Sequence, residues 1–253
     1  MTTIKDLLSD TTRGATSIFK DALQLFLSYP DEEIVFRVID EAMELKNQFN
    51  SMGVFYQLLD KVRGIQEPNI LLETLNELLL AIAKNRETIS QIGGKHLPSS
   101  GTVLTISNSS MVTSALKNSQ NLGKNLKILC LRSAPANEGE LLASSLMKAG
   151  IRVNIAEDES FQDLMIETDL VMLGCDLLGE NYFINKRGSG SLVRQAEKLN
   201  KPVWVLGDTL RIVKDRNTVR DIEPLFERVP YSNTIKMVCE KGFLNCSELK
   251  NIL

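Results

Sequence analysis

In the second half of this chain, short apolar runs each end in a polar cluster, and those clusters are where its chemistry would sit. Ser107-Asn108-Ser109-Ser110 closes the run from Thr102, and Arg132-Ser133 follows Lys127 to Leu131. Glu157-Asp158 follows Arg152 to Ala156, Gly174-Cys175-Asp176 follows Leu170 to Leu173, and Gly207-Asp208-Thr209 follows Val203 to Leu206. One polar loop means little, because loops are polar in general. Five hydroxyl-, carboxylate- and guanidinium-bearing loops at equivalent strand ends suit a small-molecule pocket, since open parallel sheets bind ligands outside the carboxyl ends of their strands. Ser109 and Ser110 stand where a helix begins, and Gly188-Ser189 opens another. Such helix starts present unpaired N–H groups and a positive dipole end to an anion.

The elements that would position these loops are legible from periodicity. β-branched runs alternate with helix-like stretches at Ser110 to Gln120, Glu138 to Lys148, Ser160 to Glu167 and Leu192 to Leu199. That order predicts a parallel sheet covered on both faces. Gly150 fits a helix C-terminus feeding the next strand. Residues 1–95 read as helical throughout: Ile34, Val35, Val38, Ile39, Ala42 and Leu45 recur on one face, with Asp31 as its expected cap. A second apolar stripe runs through Leu71, Leu72, Leu75, Leu78, Leu79 and Ile82. Gly93 to Gly101, rich in Gly, Pro and Ser, reads as the linker. The expected fold is therefore α/β, an N-terminal helical domain (1–95) followed by a Rossmann-like parallel-sheet domain (96–253) with its pocket at the strand C-terminal ends.

Composition sets outer bounds. The chain has 253 residues, 43% hydrophobic and 24% charged, which suits a water-soluble globular protein. A net charge of −3 gives no electrostatic reason to expect direct nucleic-acid binding. No run approaches the roughly 18–20 apolar residues a membrane span needs. The opening residues lack the apolar core of a secretory signal, so a cytoplasmic location with reduced thiols is expected. Cys130, Cys175, Cys239 and Cys246 are scattered and His96 is the lone histidine, so neither a metal nor a cofactor is expected.

Several segments, in order, resemble the family that joins the alpha, beta and delta subunits of translation initiation factor 2B to ribose-1,5-bisphosphate and methylthioribose-1-phosphate isomerases. Thr12-Arg13-Gly14-Ala15 resembles the RGA element with which the isomerases hold a substrate phosphate. An arginine fork offers fixed donors to phosphate oxygens, and the glycine lets backbone approach. Thr105-Ile106-Ser107-Asn108 resembles the strand-end T-H-C-N or T-H-S pattern, in which the isomerases carry the catalytic cysteine and the initiation-factor subunits do not; Ile106 stands for the histidine and Ser107 for the cysteine. Arg132-Ser133-Ala134-Pro135-Ala136-Asn137-Glu138-Gly139 aligns with E-[ST]-R-P-x-x-x-G: Pro135 and Gly139 match, Ala134 replaces the arginine, and Arg132 stands two residues earlier. Each charge-assisted bond lost with that arginine would be worth about 1.5–3 kcal/mol.

The fullest match is Gly174-Cys175-Asp176 with Asn185-Lys186-Arg187-Gly188-Ser189, resembling G-A-D followed by N-K-x-G-[ST]. Asp176 falls on the second catalytic position, 69 residues after Ser107. Asn185 and Lys186 fall on the substrate-contacting pair. Gly207 to Arg211 resembles [ED]-[ST]-x-K with Arg211 for the lysine, and Met237 to Gly242 resembles the closing T-E-x-G. The resemblance implies Arg13, Gly14, Ala15, Asn108, Arg132, Asn185, Lys186, Gly188, Ser189 and Arg211 as ligand-binding residues, with Asp176 and Ser107 at the catalytic positions.

What that pocket does stays open between three readings. A thiol, with an ordinary pKa of about 8.5, suits aldose–ketose proton transfer. A serine hydroxyl needs a base beside it, and Asp176 is the expected one. Cys175 is expected to face the core, because neighbouring strand residues point to opposite faces. The first reading is a binding protein for a phosphorylated sugar or nucleotide, like the initiation-factor subunits and with translation-factor partner subunits in view. The second is an isomerase, an intramolecular oxidoreductase acting on ribose-1,5-bisphosphate or a 5-substituted ribose-1-phosphate. The third is an oligomeric scaffold whose pocket has decayed. The resemblance also implies a homodimer through the α/β domain, with Ile222, Leu225 and Phe226 as candidates for that contact.

Overall fold

The computed structural model describes residues 2–10, 13–214, 219 and 221–252; Thr12 of the RGA-like element lies outside them. Five helices come first: α1 (Ile4–Leu8), α2 (Ala15–Phe26), α3 (Asp31–Gln48), α4 (Gly53–Val62) and α5 (Pro68–His96). Their apolar stripes close on one core around Phe19, Phe26, Leu45, Phe55, Leu71 and Leu75. Pro30 occupies the N-cap position of α3, so Asp31 is its first helical residue and not its cap.

The chain then alternates: β1 (Ser100–Ile106), α6 (Ser110–Asn121), β2 (Asn125–Leu131), α7 (Glu138–Met147), β3 (Arg152–Ala156), α8 (Phe161–Ile166) and β4 (Leu170–Gly174). After β5 (Leu177–Leu178), β6 (Tyr182–Lys186) and α9 (Ser189–Lys198) come β7 (Val203–Leu206), β8 (Phe226–Pro230), β9 (Ile235–Cys239), β10 (Gly242–Leu244) and α10 (Cys246–Lys250). The main sheet has the order β10-β9-β7-β4-β1-β2-β3, parallel except for β10. The α/β class with helices first is as expected. β5, β6 and β8 form a small antiparallel sheet that periodicity did not disclose.

Strand order places the site. From β1 the chain moves outward through β2 and β3, then returns to β4 on the other side of β1. The crevice between β1 and β4 is thus the topological switch point, the place where loops part and leave room for a ligand. Ser107 follows one strand and Asp176 the other.

The expected linker is only partly a linker. α5 runs through Gly93 and Gly94 to His96. Both glycines are buried against α6: a side chain at Gly94 would meet Asn118 Cβ at 2.8 Å, and one at Gly93 would meet Ala115 Cβ at 3.0 Å. They serve close helix approach, not helix breaking. α5 thereby joins both halves, with Leu71 to Ile82 in the helical core and Ile89 and Leu97 in the sheet core. Gly150 ends the turn after α7 as expected, at φ +79 and with Ile151 N–H donating to Leu146 O at 3.1 Å.

Candidate functional site

A cavity of about 570 Å³ lies between α2 and α5 on one side and the ends of β1, β4 and β6 on the other. Of the residues expected there, Arg13, Gly14, Ala15, Ser107, Asn108, Asp176, Asn185, Lys186 and Arg211 all line it. Arg132, Gly188 and Ser189 do not.

Two helix N-termini open on the cavity. Gly14 is the N-cap of α2 and makes no side-chain cap, and Ala15 and Thr16 line the wall. Ser109 caps α6 by accepting from Val112 N–H at 3.4 Å, while Ser110 and Met111 line the wall beside it. Among the described residues, the N–H groups of Ala15, Thr16, Ser110 and Met111 have no protein acceptor. Orphan donors of this kind at two helix starts favour an anion. The N-terminus of α9 is closed by contrast. Glu227 on β8 accepts from Gly188 N–H at 2.7 Å and from Gly190 N–H at 2.9 Å, filling the place expected for a phosphate. Buried Ser189 instead donates to Lys186 O at 2.7 Å and accepts from Asn185 Nδ2 at 2.9 Å, which fixes the turn that aims Asn185 and Lys186.

Ser107 sits at φ 66, in the left-handed region a serine seldom adopts, and is 8% exposed. Its hydroxyl donates to Glu138 Oε2 at 2.5 Å. Lys186 Nζ donates to Glu138 Oε1 at 2.8 Å and lies 4.6 Å from the Phe226 ring centre. The carboxylate beside Ser107 is therefore Glu138, not the expected Asp176. Glu138 is the first residue of α7, where a negative charge is favoured, and it too lines the cavity. The loop before it is held by Asp158, which accepts from Ser133 N–H at 2.8 Å and Ala134 N–H at 2.7 Å. Sequence reading missed Glu138; its one signal is an acidic residue at a helix start, directly after a strand-end loop.

Asp176 stands apart. Its backbone is pinned on both sides: N–H donates to Ile184 O at 2.9 Å, and its carbonyl accepts from Gly53 N–H at 2.8 Å. Among the described residues its carboxylate has no hydrogen-bond partner. Burial pushes that carboxyl up to about 6, against the opposing pull of Arg211 and Lys186. The native state thus holds this proton more tightly than the unfolded chain does. Stability from this group is full below about pH 4 and is lost as pH rises through about 6. The penalty at neutral pH is about 3 kcal/mol. Asp176→Asn is therefore expected to raise Tm at pH 7.5 by about 6–12 °C. Differential scanning fluorimetry from pH 4 to 8 checks it, because the gain should shrink below pH 5.

The arginines are more committed than the motifs imply. Arg13 pairs with Asp10 and with Asp21, the latter at 2.5 Å, and these carboxylates push its pKa up. Arg132 points away, bonding Glu157 at 3.0 Å and Glu140. Arg211 is 4% exposed; it pairs with Asp208, donates to Cys175 O at 2.7 Å and reaches Thr16 Oγ1 on α2 at 2.7 Å. Two cations that motif reading passed over also line the cavity: exposed Lys20 on α2 and Arg86 on α5, neither in an ion pair among the described residues. Cys175 is buried in the sheet core, and burial pushes its thiol well above the usual range, so it does not replace a reactive thiol at 107.

Residues 8–246 match the profile of the initiation factor 2 subunit family. A ribose 1,5-bisphosphate isomerase of Methanocaldococcus jannaschii is 27% identical over 173 residues, 67% of this chain but only 56% of that enzyme. A putative translation initiation factor eIF-2B subunit 2-like protein of Pyrococcus furiosus is 24% identical over 233 residues, 90% of this chain and 84% of that protein. Among solved structures, the translation initiation factor eIF-2B of Pyrococcus horikoshii superimposes with a TM-score of 0.86 at 20% identity, covering 95% of this chain and 94% of that one. Among the described residues, no helix is long and apolar enough to cross a membrane.

Proposed function

This chain belongs to the initiation factor 2 subunit family, and from that premise we propose that its cavity binds a phosphorylated sugar or nucleotide. The observation that carries the reading is the convergence of two helix starts with unpaired N–H groups, α2 and α6, on a hollow that also holds Lys186, Lys20 and Arg86. Orphan N–H groups supply directed donors, and the lysines and arginine supply charge. Asp176, whose carboxylate has no hydrogen-bond partner among the described residues, suits a sugar hydroxyl.

A thermal-shift series with ribose-1,5-bisphosphate, AMP and inorganic phosphate tests it. A ligand at 100 times its Kd should stabilise by about 2.7 kcal/mol. Lys186→Met is expected to weaken binding about 10- to 150-fold, the equivalent of one charge-assisted bond, as read by titration calorimetry. No shift with any of the three compounds would end the reading.

The second reading, an aldose–ketose isomerase, is favoured by one observation: Asp176, its carboxyl pushed up to about 6 by burial, lines the same cavity as Ser107. Self-association belongs to the same proposal. Leu141 and Met147 on α7, Ile155 on edge strand β3 and Ile166 on α8 expose apolar surface on the sheet half, and sedimentation equilibrium gives the assembly mass.

A further inference from the structure

We infer that Glu138 is a proton acceptor of this cavity, held in place by Ser107 and Lys186, and that Asp176 is the matching donor. The inference rests on the sugar-phosphate reading of the cavity. Glu138 is 8% exposed, yet it lines the hollow. Each of its oxygens receives one bond, Oε2 from Ser107 at 2.5 Å and Oε1 from Lys186 at 2.8 Å. A carboxylate has about four lone-pair sites, so two bonds orient it and leave acceptor capacity toward the ligand. Lys186 supplies the countercharge that keeps a buried anion tolerable.

Asp176 has the opposite surroundings. It lacks a hydrogen-bond donor among the described residues, and burial pushes its carboxyl up to about 6. Two carboxyl groups in one cavity, Glu138 held by a donor at each oxygen and Asp176 by none among the described residues, are arranged as an acid–base couple. Ser107 is then a positioning residue. Its left-handed backbone turns the hydroxyl toward Glu138, 31 residues away in the chain.

The chemistry balances without a co-reactant. In a pentose whose anomeric oxygen carries phosphate, the C2 proton passes to the Glu138 carboxylate. The released electron pair forms C1=C2, the bond from C1 to the ring oxygen breaks, and that oxygen takes the Asp176 proton. The proton on Glu138 then returns to C1. The C2 hydroxyl becomes a carbonyl as its proton goes to Asp176. Aldose becomes ketose, and both carboxyl groups are restored.

The test uses the full chain and ribose-1,5-bisphosphate in D2O, with proton NMR following loss of the C2 proton and label at C1 of the ketose. Calorimetry measures Kd in parallel. Glu138→Gln is expected to slow exchange at least 100-fold while Kd stays within threefold. Ser107→Ala is expected to slow it about tenfold, again without weakening binding, because only orientation is lost. A purely structural role would move affinity and melting temperature along with the rate. Glu138→Asp, which keeps the carboxylate, should recover part of the lost rate. Binding by the unmodified protein without exchange or ketose would overturn the couple and leave the binding reading standing. Exchange in Glu138→Gln within tenfold of the unmodified protein would overturn Glu138 as the acceptor. Failure of the bisphosphate to bind would remove the sugar-phosphate reading and this inference with it.

Discussion

Replacing Arg211 by methionine is expected to lower stability by about 3–5 kcal/mol, the largest loss anticipated for any single site residue. Arg211 is 4% exposed and Asp208, its partner, is 1% exposed. Methionine keeps the length of the side chain but strands a buried carboxylate. It also removes the donors to Cys175 O and Thr16 Oγ1. The latter contact joins the strand-end loop after β7 to the start of α2, across 195 residues of chain. The expected result is a Tm lower by about 10 °C or more in a protein of this size, read by urea and thermal denaturation. Adding Asp208→Asn to Arg211→Met should recover part of the loss, because the uncompensated charge is then gone. A loss below about 1 kcal/mol for the single variant would mean that Asp208 finds another partner.

Gly53→Ala is expected to cost about 3 kcal/mol and to weaken ligand binding with it. Gly53 is the first residue of α4, and its backbone conformation is open to any residue; the constraint is space. A β-carbon there would lie 2.1 Å from Arg211 O and 2.7 Å from Arg211 C. Neither is the end of a flexible side chain, so the helix or the loop must move. The N–H of Gly53 donates to Asp176 O at 2.8 Å, so that movement reaches the carboxylate of the site. Gly64→Ala is the control. It has φ +87 and no atom within 4 Å of the added carbon, so it carries only the left-handed backbone cost of about 1–2 kcal/mol. Urea titration of both variants, with Kd for the same sugar phosphate, separates them. Equal losses at the two positions would refute the packing argument.

Both results bear on how the helical half serves the sheet half. Thr16 and Gly53 are among the points where α2 and α4 meet the loops at the strand ends. A ligand in the cavity would touch both halves at once, since Gly14, Ala15 and Lys20 face Asn108, Asp176 and Lys186 across it. Stability and binding are therefore expected to fall together for changes at this seam. They should separate at Asp176, where the buried carboxylate lowers stability at neutral pH.

Much of this was readable from residue order. Alternation of β-branched runs with amphipathic stretches implied a parallel sheet, and strand-end position marked five polar loops, among which the family resemblance picked out Ser107 and Asp176. Both observations follow from periodicity, which reports the face a residue shows to the core. The last turns of α5 were misread because Gly93 and Gly94 look like breakers until α6 is seen against them. The small sheet of β5, β6 and β8 escaped notice because two-residue and five-residue strands carry too short a pattern.

Partnership was not readable. The family resemblance implied Arg13, Ser107, Asp176 and Lys186 as residues of one pocket, and all four line the cavity. Folding alone brought Glu138 to Ser107, closed the start of α9 with Glu227, and turned Arg132 toward Glu140 and Glu157. The reason is physical. A hydrogen bond or ion pair depends on ångström distances between groups that the chain separates by tens of residues, and no periodicity along one strand or helix encodes what stands opposite it.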